Sequence, residues 1–324
     1  MSFPIFKLPS VAFNCVVQQF DQFDVIRLCI NFKPFADVLA QWRIFVDVFQ
    51  FIIAEDKCIA RWNGLEFWIC LECRHKENKV TLESTIDRKK CIDLKVSEEL
   101  EPLEKMEEIL DKIFPVLNIQ HLDFHFNGTV PIEIEKVFIW RKFKKFRNID
   151  FTPCLWLPIK LPSEVVHFSQ EEIQVDTLTL NVLGTVPDFW HQKLFKVQKV
   201  VLVVAFYKLK HILNWTSPEV EIKYFQDVFS SSHHQVREFL KSWLVSENIT
   251  LKRVSVPINC YKKEIPDAFL YIDKSEILEE REVFDSERRP KVVEKILRRQ
   301  RDGMKAKATV THNSFKFEVL EMEE

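Results

Sequence analysis

The sequence predicts a mixed α/β protein with a small helical segment at its N-terminus and a larger βαβ-rich region after it, and three observations carry this. Apolar residues recur at helical spacing through the first forty positions. From Phe45 the period changes to the alternation of strands. Beyond Pro115 strand-like and helix-like runs follow one another, the order that builds a mostly parallel sheet with helices outside it.

The N-terminal segment reads as two short helices. Leu8-Pro9-Ser10 offers a proline and then a capping serine, and Val11, Phe13, Val16, Val17 and Phe20 keep one side apolar until Asp21. Phe23, Val25, Ile26, Leu28, Cys29 and Ile30 repeat the pattern and close before Pro34. Two such helices cannot bury both faces by themselves and need a partner.

Four strands are expected next, at Phe45–Ile53, Cys58–Trp62, Leu65–Glu72 and Lys79–Leu82. Asn63-Gly64 between the second and third is a two-residue hairpin signal. A charged stretch from Ser84 to Ser97 leads into a helix lined by Leu100, Leu103, Met106, Ile109, Leu110, Ile113 and Phe114, which Pro115 stops.

Further strands are predicted at Ile119–Phe126, Val175–Val182, Lys199–Phe206, Glu219–Phe225 and Thr250–Pro257. The helices predicted between them are Ile132–Arg147, Asp188–Lys196, Lys208–Trp215 and Gln235–Val245. The later strands recur roughly every 20–30 residues, the period of a leucine-rich-type solenoid, so a curved sheet is expected although no repeat consensus is legible. The charged segment Lys274–Asp302 reads as a solvated helix or an excursion. Ala306–Thr311 and Ser314–Leu320 around His312-Asn313 read as a closing hairpin. The domains expected are 1–44, a β-rich connection over 45–98, and an α/β region over 99–324.

Composition narrows the function. With 47% hydrophobic residues and 29 phenylalanines in 324 positions, the chain can bury a sizeable core. Its net charge of −2, from 46 basic and 48 acidic side chains, provides no global field for nucleic acid or an anionic membrane. Pro4 and Pro9 interrupt any signal-peptide core, and the longest apolar run, Val200–Tyr207, falls far short of the ~20 residues of a spanning helix. An intracellular location, cytoplasmic or nuclear, is therefore expected, with no membrane contact. Eight scattered cysteines read as reduced core thiols. Only four glycines occur, at 64, 128, 184 and 303, too far apart for a phosphate-cradling loop or a Gly-x-Ser-x-Gly elbow. No enzyme activity and no cofactor are expected.

Three clusters invite chemistry and are read as structural. Cys70 and Cys73 with His75 form half a zinc site without a second pair, and residues three apart on a strand point to opposite faces. His233-His234 precede a helix and read as its solvated first turn. Arg141 to Arg147 interleaves five basic residues with two phenylalanines, as a nucleic-acid stripe would. It is read as a helix C-terminus whose basic residues face the dipole, and nucleic-acid contact is not expected.

The segment FPIFKLPSVAFNCVVQQFDQFDVIRLCINFK resembles the F-box. The residues that carry the likeness are the Leu8-Pro9 opening, apolar Val16, Val17 and Phe20, the acidic start of the second helix over Asp21–Asp24, and Ile26 and Leu28. It departs from that pattern at Val11, where an acidic residue is frequent, and at Asn31-Phe32, where small polar residues are commoner. LKHILNWTSPEVEIKYFQ and QVREFLKSWLVSENITLKRVSV, within about 195–260, resemble the F-box-associated type-2 domain of the large nematode F-box families. Phe239–Trp243 is the most recognisable part, and Arg301-Asp302-Gly303 before a final hairpin fits the same family. The resemblance implies a substrate receptor of a ubiquitin ligase. Leu8, Pro9, Phe13, Val16, Val17, Phe20, Phe23, Ile26 and Leu28 would dock on a Skp-type adaptor, and through it a cullin, while the C-terminal region binds a protein substrate. A ligase-independent interaction scaffold is the alternative. Phe239, Leu240 and Trp243 are at core spacing and are expected to hold their helix against the sheet.

Overall fold

A computed structural model of the chain describes residues 8–54, 57–70, 79–84, 91–95, 102–127, 137–151, 173–181, 197–204, 208–223, 232–259, 265–284, 286 and 290–320. The fold is mixed α/β and divides into two compact units, 1–147 and 148–324. The residues expected as a separate helical module therefore share a unit with the strands and the helix that follow them.

In the first unit α1 (Ser10–Val17) buries Phe13 and Val17, one turn apart. The Asp21 side chain accepts from the Phe23 amide at 2.7 Å and starts α2 (Gln22–Asn31), which buries Phe23, Val25, Ile26, Cys29 and Ile30. Pro34 ends α2, as expected, but it also opens α3 (Lys33–Leu39), because its missing N–H costs nothing in a first turn. The rings of Phe13 and Phe35 meet at 5.7 Å. Both α2 and α3 pack on α4 (Pro102–Ile113), so the partner these helices need lies within the chain.

The strands of this unit are β1 (Ile44–Ala54), β2 (Lys57–Trp62), β3 (Leu65–Cys70), β4 (Lys79–Ser84), β5 (Cys91–Lys95) and β6 (Leu117–Asn127), in the order β6-β1-β2-β3-β4-β5. Between β2 and β3 the hairpin turn forms at Asn63 and Gly64, whose φ values of 44° and 80° are those a two-residue turn demands. Pairing of β1 with β6 is parallel, which requires the long crossover through α4. Phe49 stacks on Trp62 at 5.2 Å and meets Phe114 edge-on at 5.4 Å, while Phe51 meets Phe138 at 5.3 Å. The phenylalanine load is thus spent on an aromatic core.

The helix expected over 132–147 is shorter, because only α5 (Ile139–Lys142) is helical and Phe143 is extended; residues 132–136 lie outside the described residues. From Lys145 the apolar period is two, with Phe146, Ile149 and Phe151 buried in β7 (Lys145–Phe151). Arg141 and Lys142 pair with Glu107 and Asp111 of α4, and Arg147 donates to buried Asp123 at 2.5 and 3.0 Å. These basic side chains are committed to carboxylates rather than aligned as a stripe. The Asp123 hydrogen bond raises the Arg147 pKa above its ordinary value.

In the second unit β8 (Gln174–Asn181), β9 (Val197–Val204), β10 (Glu219–Ile222) and β11 (Arg253–Pro257) pair in parallel. Helix α6 (Ser232–Val245) lies in the crossover before β11. Then β12 (Ile277–Phe284), β13 (Pro290–Arg298), β14 (Lys305–Thr311) and β15 (Ser314–Leu320) add antiparallel strands, giving the order β8-β9-β10-β11-β15-β14-β13-β12. The closing hairpin β14–β15 forms where the sequence places it.

Register aligns one buried row across this sheet: Leu178, Val200, Val220, Val254, Phe317 and Ala308. Helix α6 seats Phe239 against Phe315 and Phe317 at 5.6 and 5.2 Å, and Trp243 against Phe317 at 5.1 Å. Phe239, Leu240 and Trp243 are fully buried, the core role expected of them. The opposite face is an exposed charge ladder in which Lys199 pairs with Glu221, and Arg253 with Glu219 and Glu318. Such exposed pairs contribute little each and mainly keep that face solvated.

Three expectations for this unit need correction. Lys274–Asp302 is not a solvated helix: it holds β12, exposed from Leu278 to Phe284, and β13, whose charged residues mask a period of two in which Val293 and Leu297 are buried. The helix over Lys208–Trp215 is a tighter 3-10 helix, Leu209–Asn214. The Thr250–Pro257 strand begins only at Arg253, because Thr250 and Leu251 are bound to the Asn248 side chain. The helix predicted at Asp188–Lys196 lies outside the described residues.

Burial pushes the Cys29 and Cys58 thiols up to about 12, so both stay protonated and unreactive. Cys15 is exposed, contrary to the expectation of a core thiol. Replacing Trp243 by alanine removes a fully buried side chain seated on Phe317 and should cost about 3–5 kcal/mol. Urea unfolding of the two proteins measures it, and an unchanged midpoint would show that the α6–sheet contact is not what holds this unit.

Candidate functional site

Two surfaces qualify as candidate sites, one in each unit. In the first, the nine residues expected at an adaptor interface divide by burial. Phe13, Val17, Phe23 and Ile26 are buried and anchor α1 and α2 in the unit. Leu8 and Leu28 are half-buried. Pro9, Val16 and Phe20 are exposed, the last two at 36% and 40%. Val11 and Phe32, where the sequence departs from the F-box pattern, are more exposed still, at 68% and 56%. Val11 and Val16 thus stand out from α1, Phe20 from the turn after it and Phe32 from the link between α2 and α3, and periodicity alone could not separate them from the buried set because both sets are apolar.

In the second unit an open cleft of about 900 Å³ lies between the 3-10 helix Leu209–Asn214, the C-terminal end of α6 and residues 246–250. Lys210, His211, Asn214 and Thr216 line one side, and Ser242, Val245 and Ile249 line the other. Val245 and Ile249 are highly exposed aliphatic groups among polar neighbours. The arrangement suits binding, with hydrogen-bonding groups beside apolar contacts.

Asn248 ties the two sides of the cleft together. Its Nδ2 donates to the Leu213 and Trp215 carbonyls at 2.7 and 2.9 Å, and its Oδ1 accepts from the Thr250 amide at 2.8 Å and the Leu251 amide at 3.0 Å. The Asn248 carbonyl accepts from the guanidinium of Arg299, which is fully buried. Arg299 Nη1 also donates to the Ser246 carbonyl at 3.1 Å, and Nε and Nη2 donate to Asp302 at 3.0 and 2.6 Å. Gly303, at φ +74°, supplies the left-handed turn that brings Asp302 back to Arg299. Periodicity points to neither Asn248 nor Arg299, because the bonds that tie them to the 3-10 helix and to the end of α6 reach partners 33 to 53 residues away.

Of the other clusters, Cys73 and His75 lie outside the described residues. His233 and His234 lie inside the first turn of α6 and are half-buried, rather than in a solvated turn before it, and His234 Nδ1 is 2.6 Å from Arg237. Among the described residues no group of three His, Cys, Asp or Glu could hold a metal ion, and no helix is long and apolar enough to cross a membrane. Compared with known proteins, the chain matches no family model, no curated protein and no solved structure.

Hydrogen bonds from Arg299 hold the Asp302 carboxyl below the usual aspartate range. A lowered native pKa contributes stability above the unfolded value of ~3.9, and that contribution is lost as pH falls through the native value. The urea midpoint should therefore fall more steeply below about pH 4 for the wild type than for Asp302→Asn. Parallel pH profiles would show that the pair contributes nothing.

Proposed function

We propose that the chain is a substrate receptor of a Skp–cullin–F-box ubiquitin ligase, with α1 and α2 docking on the Skp-type adaptor and the C-terminal region binding a protein substrate. The reading assigns it no catalytic role and no cofactor. The observation that carries it is the exposure of Val11 and Val16 on α1, of Phe20 in the turn after it and of Phe32 between α2 and α3, on helices that Phe13, Val17, Phe23 and Ile26 anchor in the unit. Exposed apolar side chains of this size on a small unit suit a partner's helix. Helices α1 and α2 lie within residues 3–33, the segment of the F-box resemblance, and α6 with β11 lies within about 195–260, the part that resembles the F-box-associated domain.

We read β8 to β11 as a leucine-rich-type platform, supported by aligned residues Thr177, Lys199 and Glu219 at the spacing such repeats use. The longer step to Arg253 holds α6. A second reading, a scaffold that binds partners without marking them for destruction, is favoured by the packing of α2 and α3 on α4, which gives these helices a structural duty of their own. The same packing makes deletion of residues 1–44 a poor test, since it would strip helices from α4.

Substitution at exposed positions separates the readings. Val16→Asp with Phe20→Asp should leave the urea midpoint nearly unchanged while weakening adaptor capture roughly 100-fold or more, because two interface anchors are lost at once. Co-expression with a Skp-type adaptor and a titrated pull-down measures this. Unchanged capture, or none by the wild type, would favour the scaffold.

A further inference from the structure

Among the described residues β12 is the terminal strand of the second unit's sheet, with β13 on one side and no strand on the other. It is eight residues long, and every residue from Leu278 to Phe284 is exposed. One row of main-chain donors and acceptors is therefore open to solvent, a template for an added strand. Natural proteins guard such edges with charge, and β12 has three glutamates against one arginine. The charges are unevenly used. Glu280 is paired with Lys295 at 3.0 Å, whereas Glu279 and Glu282 have no ion-pair partner among the described residues.

The register puts Glu280 opposite Lys295 and Glu282 opposite Val293, on the side of the buried row, and Glu279 opposite Ile296 on the other side. The two unpaired carboxylates thus flank the open edge from both faces, three residues apart. Leu278, Val283 and Phe284, at 42%, 38% and 52% exposure, offer apolar contact beside them.

We infer that this edge binds an extended peptide segment of the substrate by strand addition, and that it selects segments with two basic residues three apart among β-branched or aliphatic ones. Opposite charges facing each other across paired strands are favourable and like charges unfavourable, so Glu279 and Glu282 favour a basic strand over a neutral one and repel an acidic one. The spacing of three holds for either direction of the added strand. A second copy of this chain is the poorer occupant, since antiparallel pairing of β12 with itself about its centre sets Glu279 against Glu282 twice and offsets this only by Glu280 against Arg281, whereas a basic strand meets both free carboxylates. Main-chain bonds supply the grip and charge supplies the choice. The inference rests on the receptor reading for the origin of the peptide, but the binding chemistry belongs to the edge alone.

The probe is an end-capped, fluorescein-labelled octapeptide of valine and threonine with two lysines three apart, titrated into the full chain and followed by anisotropy and by hydrogen exchange. Binding should slow exchange within 277–284 and weaken roughly ten-fold in a Glu279→Lys, Glu282→Lys variant, which in turn should gain affinity for the matching peptide with two glutamates. Both positions are exposed, so an unchanged urea midpoint certifies the variant's fold. Methylating alternate peptide nitrogens on the bonding edge should abolish binding. The inference fails if the lysine peptide does not bind, if its N-methylated form binds equally well, if protection appears elsewhere, or if the chain self-associates through 277–284. None of these results alters adaptor capture by α1 and α2, which tests the receptor reading separately.

Discussion

A guanidinium cannot be neutralised in a protein, so a fully buried Arg299 must be satisfied where it lies, and the second unit is organised around that requirement. Its donors reach the carbonyls of Ser246 and Asn248 just beyond α6, and the carboxylate and thioether of the turn between β13 and β14. Its plane also lies 5.3 Å from the ring of Trp243. One side chain therefore ties the end of α6, the loop leading to β11 and the β13–β14 turn. The Asn248 side chain extends the tie to the 3-10 helix on the far side of the cleft. A lysine there could not fork to Asp302 while also donating to both carbonyls.

The same node accounts for the order of layers. Phe239 and Trp243 bring α6 onto Phe315 and Phe317, and the buried row continues through Ala308 of β14. Beyond it the row reaches Lys295, whose ammonium lies over the Phe269 ring and pairs with Glu280. The row thus passes from apolar to charged as it approaches β12, and charge is the guard that exposed edge strands commonly carry.

Much of this was legible in the sequence. Strands β1 and β2, helix α6 and the β14–β15 hairpin follow from apolar period and turn residues, and Asn63-Gly64 adopts the positive φ values its residue types favour. The failures share a cause: features whose meaning depends on distant partners. Charges along β13 hid its alternation, and β12, exposed from Leu278 to Phe284, has no buried row to read, so both carry the residues a solvated helix would also carry. Pro34 was legible as a stop for α2 but not as the start of α3. Of the expected adaptor residues, spacing could not say that Phe13 faces inward while Val16 faces out, since that depends on where α3 lies. Asn248 and Arg299 have local partners in Thr250 and Asp302, but their distant ties to Leu213 and Ser246 leave no mark on the local pattern.

Hydrogen exchange on an Arg299→Met variant tests the organising role of the buried guanidinium most directly, since methionine keeps the unbranched apolar stem and removes every donor. The account predicts faster exchange at the Leu251 amide, held by Asn248, and at the Gly303 amide, held by the Arg299 carbonyl, while the central strands β9 and β10 keep their protection. Unchanged protection at both amides would contradict it, and would show that the cleft and the turn are held by their own local bonds.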